Sequence, residues 1–237
     1  MIALDVLKNG TRYAMTVSYD DGANLDRRLL SIFNEYGIRG TWHLNSGSYR
    51  RFANHPDHIQ AEELAEVYRG HEVACHGVGH NCMYYLENTG VIKDIYEDRR
   101  FLEQYVGYPI RGLSYANNSY RKETIDTLRS CGIVYSRTTQ NTGNFLFPQN
   151  WMEWAPTCHQ PNCLKYGEMF LNQMDGYFSG PKLFYVWGHS HEFGRTMEWE
   201  TIERKLSLIS WEERLFRALS VRKTALFLSY HVSTCSN

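Results

Sequence analysis

A chain of 237 residues with 43% hydrophobic and 14% aromatic side chains can bury one sizeable core, which excludes a disordered chain, a collagen-like repeat and a disulfide mini-scaffold. Lys plus Arg number 25 against 26 Asp plus Glu, a net charge of -1, so neither a nucleic acid nor an anionic membrane is an expected partner. No apolar run approaches the roughly 20 residues that span a bilayer, the opening residues lack the pattern of a secretion signal, and the six cysteines are sparse, so the expected location is cytoplasmic.

In chain order, β-rich runs at residues 13–19, 38–44, 72–75, 111–115, 133–135 and 183–187 alternate with helical periods at 25–36, 61–68, 91–106, 122–130, 165–178 and 199–209. Strand then helix, repeated, predicts a parallel sheet with right-handed crossovers. Gly37, Gly70, Gly107 and Gly132 stand where a helix ends ahead of the next strand. Residues 141–160 form a long aromatic stretch without period, read as a substrate-facing loop. The whole chain, 1–237, is expected to be one domain, with residues 211–237 as an atypical tail that lacks the strand and helix rhythm.

Reactive side chains follow the strands. Asp20 and Asp21 come after the first, His43 sits near the end of the second, His76 follows the third, and His189 and His191 follow the last. The C-terminal strand ends of a parallel sheet form its functional face, so these groups are expected to converge. His76 and His80, in HGVGH, have the spacing of two imidazoles on one ion, and a carboxylate would complete a His/His/carboxylate set with room for water. Consecutive Asp20 and Asp21 leave a strand toward different sides, so one suits the ion and the other a free base; Asp ahead of a helical run is also a good cap.

The runs TVSYDDG (Thr16 to Gly22), GTWHLNS (Gly40 to Ser46), GHEVACHGVGH (Gly70 to His80), an arginine-led strand at Arg111 and VWGHSHEF (Val186 to Phe193) resemble the successive motifs of the NodB-homology polysaccharide deacetylases. The resemblance implies a distorted or incomplete (β/α) barrel of about seven parallel strands. It also implies a hydrolase removing acetyl groups from an N- or O-acetylated carbohydrate with one divalent metal ion. Zinc is the first choice of ion, with cobalt, manganese, nickel or iron as alternatives. Carried over, it makes Asp20 the general base, Asp21, His76 and His80 the metal ligands, Arg111 the arginine that fixes the base, and His189 the general acid, with His191 as the alternative acid. A water acidified by the ion would give its proton to Asp20, and His189 would protonate the leaving group. Trp154 and Trp151, near the place of the family's fourth motif, and Tyr115 are the candidates for substrate contact. Prolines usual after the motif arginine are replaced by Gly112, Leu113 and Ser114. A small-amide hydrolase on the same fold and a catalytically inactive carbohydrate-binding barrel are the competing expectations.

Overall fold

The computed structural model describes residues 12–174, 180–193 and 199–200. Among the described residues seven strands form: β1 (Tyr13–Asp20), β2 (Gly40–Leu44), β3 (Glu72–Cys75), β4 (Gly112–Ser114), β5 (Tyr135–Arg137), β6 (Cys158–His159) and β7 (Lys182–His189). Every pairing is parallel and the order is β5-β4-β3-β2-β1-β7-β6, an open half-barrel. The helices are α1 (Asp26–Glu35), α2 (Ser46–Arg51), α3 (Leu64–Val67), α4 (Asn88–Val106), α5 (Lys122–Ser130) and α6 (Cys163–Met174). Two elements lie outside the sequence pattern: the two-residue β6 and the six-residue α2, both too short to display a period. The expected helix at 199–209, beyond its first two residues, and the tail at 211–237 lie outside the described residues.

Alternation along the strands separates two apolar layers. Val17 and Tyr19 of β1, Trp42 and Leu44 of β2, Val73 and Cys75 of β3, and Phe184 and Val186 of β7 face the helices in the main core. The α1 residues Leu29, Leu30, Ile32 and Phe33 and the α4 residues Val91, Ile95 and Leu102 bury their stripes in that same core. The opposite face of β1 carries the small residues Ala14, Thr16 and Ser18, in register with Leu183, Tyr185 and Trp187 of β7. There Leu183 and Tyr185 pack with Trp154 in a second cluster that includes Tyr135 and Ala14 at its margin.

The segment holding Trp154 and β6 reaches both edges of the sheet. Trp154 bridges Arg137 of β5, its N–H donating to the Ser136 carbonyl at 2.9 Å, while four residues on Cys158 pairs with Val186 of β7. Trp154 therefore fills the inside of the half-barrel: it is 7% exposed, 4.6 Å from the Tyr185 ring and 5.8 Å from Tyr135. Half-buried Trp151 packs edge-on against it at 4.9 Å.

This corrects the expected substrate contacts. Trp154 is core, because an inward residue on the segment spanning the edges has the half-barrel interior to fill. Tyr115 is completely buried, because Ser114 takes the inward position at the end of β4 and turns Tyr115 to the helix side, where its hydroxyl donates to the Met152 carbonyl at 2.8 Å. Trp154→Ala is expected to cost about 3–5 kcal/mol of stability, read from urea unfolding. A loss below about 1 kcal/mol would return this indole to the list of surface contacts.

Candidate active site

β1 ends at Asp20, and the next residue turns sharply: Asp21 has φ 78, a left-handed backbone that a non-glycine residue adopts at a cost of about 1 kcal/mol or more. The turn leaves Asp20 buried at 2% exposure and swings the Asp21 carboxylate up beside it instead of to the far face of the sheet. His76, directly after β3, reaches both: its Nε2 is 3.8 Å from Asp20 Oδ2 and 3.6 Å from Asp21 Oδ1. His80 Nε2 lies 3.9 Å from the same Asp21 oxygen. Asp21, His76 and His80 thus place one donor atom each within 4.8 Å of one another.

His76 Nδ1 lies 3.0 Å from the Ser114 carbonyl and 2.6 Å from its hydroxyl. Donation from Nδ1 to that carbonyl puts the lone pair on Nε2. That nitrogen is buried without a hydrogen-bond partner and faces two carboxylate oxygens, so acceptor confronts acceptor. A cation between them would resolve the conflict, and a His/His/Asp set is one that zinc and its neighbours in the first transition row accept.

The turn that carries His76 and His80 is held from behind by two carboxylates of α4, one helical turn apart. Asp98, fully buried, accepts from the N–H groups of Ser46 (2.8 Å), His76 (3.2 Å) and Gly77 (3.0 Å). Asp94 accepts from the Val78 N–H at 3.2 Å and the Asn81 amide at 3.0 Å. Asn45 completes the clamp by donating to the His76 and Gly77 carbonyls. Gly77, at φ +79, leaves no room for a β-carbon against the Asp94 carboxylate.

Asp20 is enclosed by one cation and several polar neighbours. Arg137, at the C-terminal end of β5 and completely buried, pairs with Asp20 Oδ2; Ser114 Oγ donates to Oδ1 at 3.2 Å; His43 Nδ1 lies 3.3 Å from Oδ1. Burial alone would raise this carboxyl, but Arg137, His76 and His43 outweigh it and hold the group well below the usual carboxylate range. Burial pushes His43 down to about 4, so it stands neutral against Asp20.

Arg111, expected to fix Asp20, is exposed and precedes the first residue of β4. It therefore sits at the opposite end of the sheet from the strand tips, and the arginine that pairs with Asp20 is Arg137. The sequence pattern points to neither Arg137 nor Ser114 as a partner of Asp20. Their one signal is position: each is the last residue of a strand, and the sequence pattern ends the short β5 run at residue 135.

His189, the last residue of β7, lies opposite Asp20 in the strand register, and its Nε2 is 3.9 Å from Asp21 Oδ2. Its other nitrogen, Nδ1, is 2.8 Å from Glu192 Oε1. Burial opposes a charged ring here, but Glu192, Asp20 and Asp21 prevail and raise the His189 pKa above its ordinary value. Glu192 also lies 2.8 Å from His159 Nε2, and the two imidazoles overcome burial to bring it down to about 2. The His191 ring is 5.0 Å from His189. Trp187, half-buried, stacks near His159 at 4.5 Å with the Arg137 guanidinium 4.8 Å from its ring, so the indole nearest these groups belongs to β7 and not to the 141–160 stretch.

The family model described as polysaccharide deacetylase matches residues 8–136. No curated protein matches the sequence. Among solved structures, a protein described as a polysaccharide deacetylase from Mycobacterium smegmatis is 15% identical, with 90% of this chain and 89% of that one covered and a TM-score of 0.63. A deacetylase solved with substrate is 12% identical over 90% of this chain and 94% of its own, with a TM-score of 0.55. A CE4 family pseudoenzyme from Bacillus anthracis is 13% identical, with 87% of this chain covered and a TM-score of 0.53; the chain spans 63% of its length. At these identities the likeness is one of fold.

Proposed function

Since the chain belongs to the polysaccharide deacetylase family, we propose that it hydrolyses acetyl groups from an acetylated carbohydrate, with Asp21, His76 and His80 holding one divalent ion, Asp20 as general base and His189 as general acid. The observation that carries this reading is the unpartnered Nε2 of buried His76 facing the Asp20 and Asp21 carboxylates. Zinc is the first choice. The bound ion would supply Lewis acidity to the reacting carbonyl and to water.

The protein's own groups divide the remaining work. Asp20, kept ionised by Arg137 and oriented by Ser114 and His43, accepts a proton from the attacking water. His189 presents Nε2 on the same side of the site, with Glu192 holding Nδ1 and favouring the imidazolium. It donates that proton to the departing amine or alcohol. One carboxylate driven low beside one imidazole driven high is an arrangement suited to a base and an acid operating together at neutral pH.

A pure binding barrel needs neither a buried Arg–Asp pair nor a carboxylate-backed histidine, which disfavours the inactive reading even though one fold neighbour is a pseudoenzyme. Acetate release from a panel of N- and O-acetylated oligosaccharides, run beside a ureide and a formamide, tests the proposal. Acetate from at least one oligosaccharide is expected; turnover of the small amides alone would transfer the site to the competing chemistry.

Glu192→Gln gives the assignment of the acid a pH signature. The working His189 is protonated, so kcat/KM is full below its raised pKa and falls as pH rises through it. Without the Glu192 charge that pKa drops, and the alkaline limb should move to lower pH while the acid limb, set by Asp20, stays. An unmoved alkaline limb would take the acid role from His189 and pass it to another group such as His191.

A further inference from the structure

Apart from Asp21, His76 and His80, the described residues hold one other convergence of metal-ligating atoms: His159, His189 and Glu192, whose donor atoms lie within 4.8 Å of one another. We propose that these three residues form a second, weaker divalent-cation site, suited to a borderline ion such as zinc, whose occupation withdraws His189 from proton transfer. The inhibitory consequence rests on the role given to His189 above; the site itself does not.

The Glu192 carboxylate lies between the two rings, Oε1 at 2.8 Å from His189 Nδ1 and Oε2 at 2.8 Å from His159 Nε2. Two imidazole nitrogens flanking both oxygens of one carboxylate make a donor set that zinc accepts. His159 Nε2 is buried and stands 2.8 Å from Oε2 without an aligned hydrogen bond, so the pair is close but not locked in a directed bond.

The frame around the three is rigid. His159 and His189 stand on neighbouring parallel strands, with His159 in register with Trp187 two residues before His189. The Trp187 ring lies against His159 at 4.5 Å, and its Nε1 donates to Asn141 at 2.9 Å. Gln160 Nε2 donates to Glu192 Oε2 at 2.9 Å and to the His189 carbonyl at 3.1 Å, fixing the carboxylate and the strand end together. Such outer contacts orient ligands in metal sites.

Binding would form bonds from the ion to His159 Nε2, His189 Nδ1 and Glu192, and any proton on either nitrogen would pass to solvent. His189 then holds a proton only on Nε2 and is a neutral ligand; giving that proton up would leave an imidazolate, so the coordinated ring is a far poorer acid than the imidazolium it replaces. The site nearest Asp21 activates and this one shuts the acid off, which predicts a rise and then a fall in acetate release as zinc is increased.

The test is zinc binding by equilibrium dialysis with metal analysis on the full chain, comparing wild type, His80→Ala and His159→Gln. Glutamine keeps an amide donor for Glu192 while removing the imidazole ligand. Wild type should bind two ions of different affinity, His80→Ala should keep the weaker one, and His159→Gln should keep the tighter one while the weaker falls in affinity about 10-fold or more. Retention of the tight ion doubles as the folding control for His159→Gln. Zinc beyond the first equivalent should inhibit wild type and spare His159→Gln. A single ion in wild type at about 100-fold zinc excess over the tight site, or a second ion that His159→Gln leaves in place, overturns the proposal. If the tight ion is missing everywhere, the Asp21 site fails, while the response of the weaker ion to His159→Gln still decides this one.

Discussion

Arg137→Ala is expected to lose about 3–5 kcal/mol of stability and to reduce acetate release by at least about 10²-fold. The guanidinium is completely buried and its partner Asp20 is 2% exposed, so truncation leaves a carboxylate without its counterion in a dry setting. The remaining neighbours are neutral His43, the Ser114 hydroxyl and His76, and burial then pushes the Asp20 carboxyl upward. The direction with pH follows. A base must be ionised, and raising its pKa moves the acid limb of kcat/KM to higher pH. Arg111→Ala is the contrast, because that side chain is exposed at the other end of β4 and should change neither property. A larger loss from Arg111→Ala than from Arg137→Ala would reverse the assignment.

Asp20→Asn separates base from ligand. An amide is nearly the same size and can still accept from Ser114, but it cannot take a proton from water, so turnover should fall by about 10²-fold or more. Metal content should survive, since Asp21, His76 and His80 are untouched. Some stability is lost as well, because Arg137 forfeits its charge partner. Loss of the ion along with the activity would mean that the two adjacent aspartates have been given each other's roles.

Much of this arrangement was legible in the sequence because strand period and helix period are local. The strands that carry Asp20, His43 and His189 and the one that ends just before His76 announce themselves by composition, and parallel topology then brings their C-terminal ends together. What stayed hidden depends on contacts between distant segments. Trp154 looks like a loop indole until its segment is seen to touch both β5 and β7, which puts the ring inside the half-barrel. Arg111 leads its strand and Arg137 ends one, so the choice between them turns on which pole of the sheet each occupies. β5 shows only three paired residues, too few for an alternation that would mark where it stops. Glu192 lies three residues beyond His189 and could have been suspected from that spacing, but its second partner, His159, comes from a strand of two residues. Asp94 and Asp98 are buried on the same helix as Val91, Ile95 and Leu102, and only the tertiary structure shows which turn their carboxylates hold.

The claim that one ion at Asp21, His76 and His80 drives deacetylation is tested most directly by stripping the protein with a chelator and returning one equivalent of zinc while following acetate release from an N-acetylated oligosaccharide. Wild type should regain its activity and His76→Ala should not, since that variant loses the nitrogen placed between the two aspartates. Full recovery by His76→Ala, or acetate release by the stripped wild type at the rate of the reloaded one, would contradict the account.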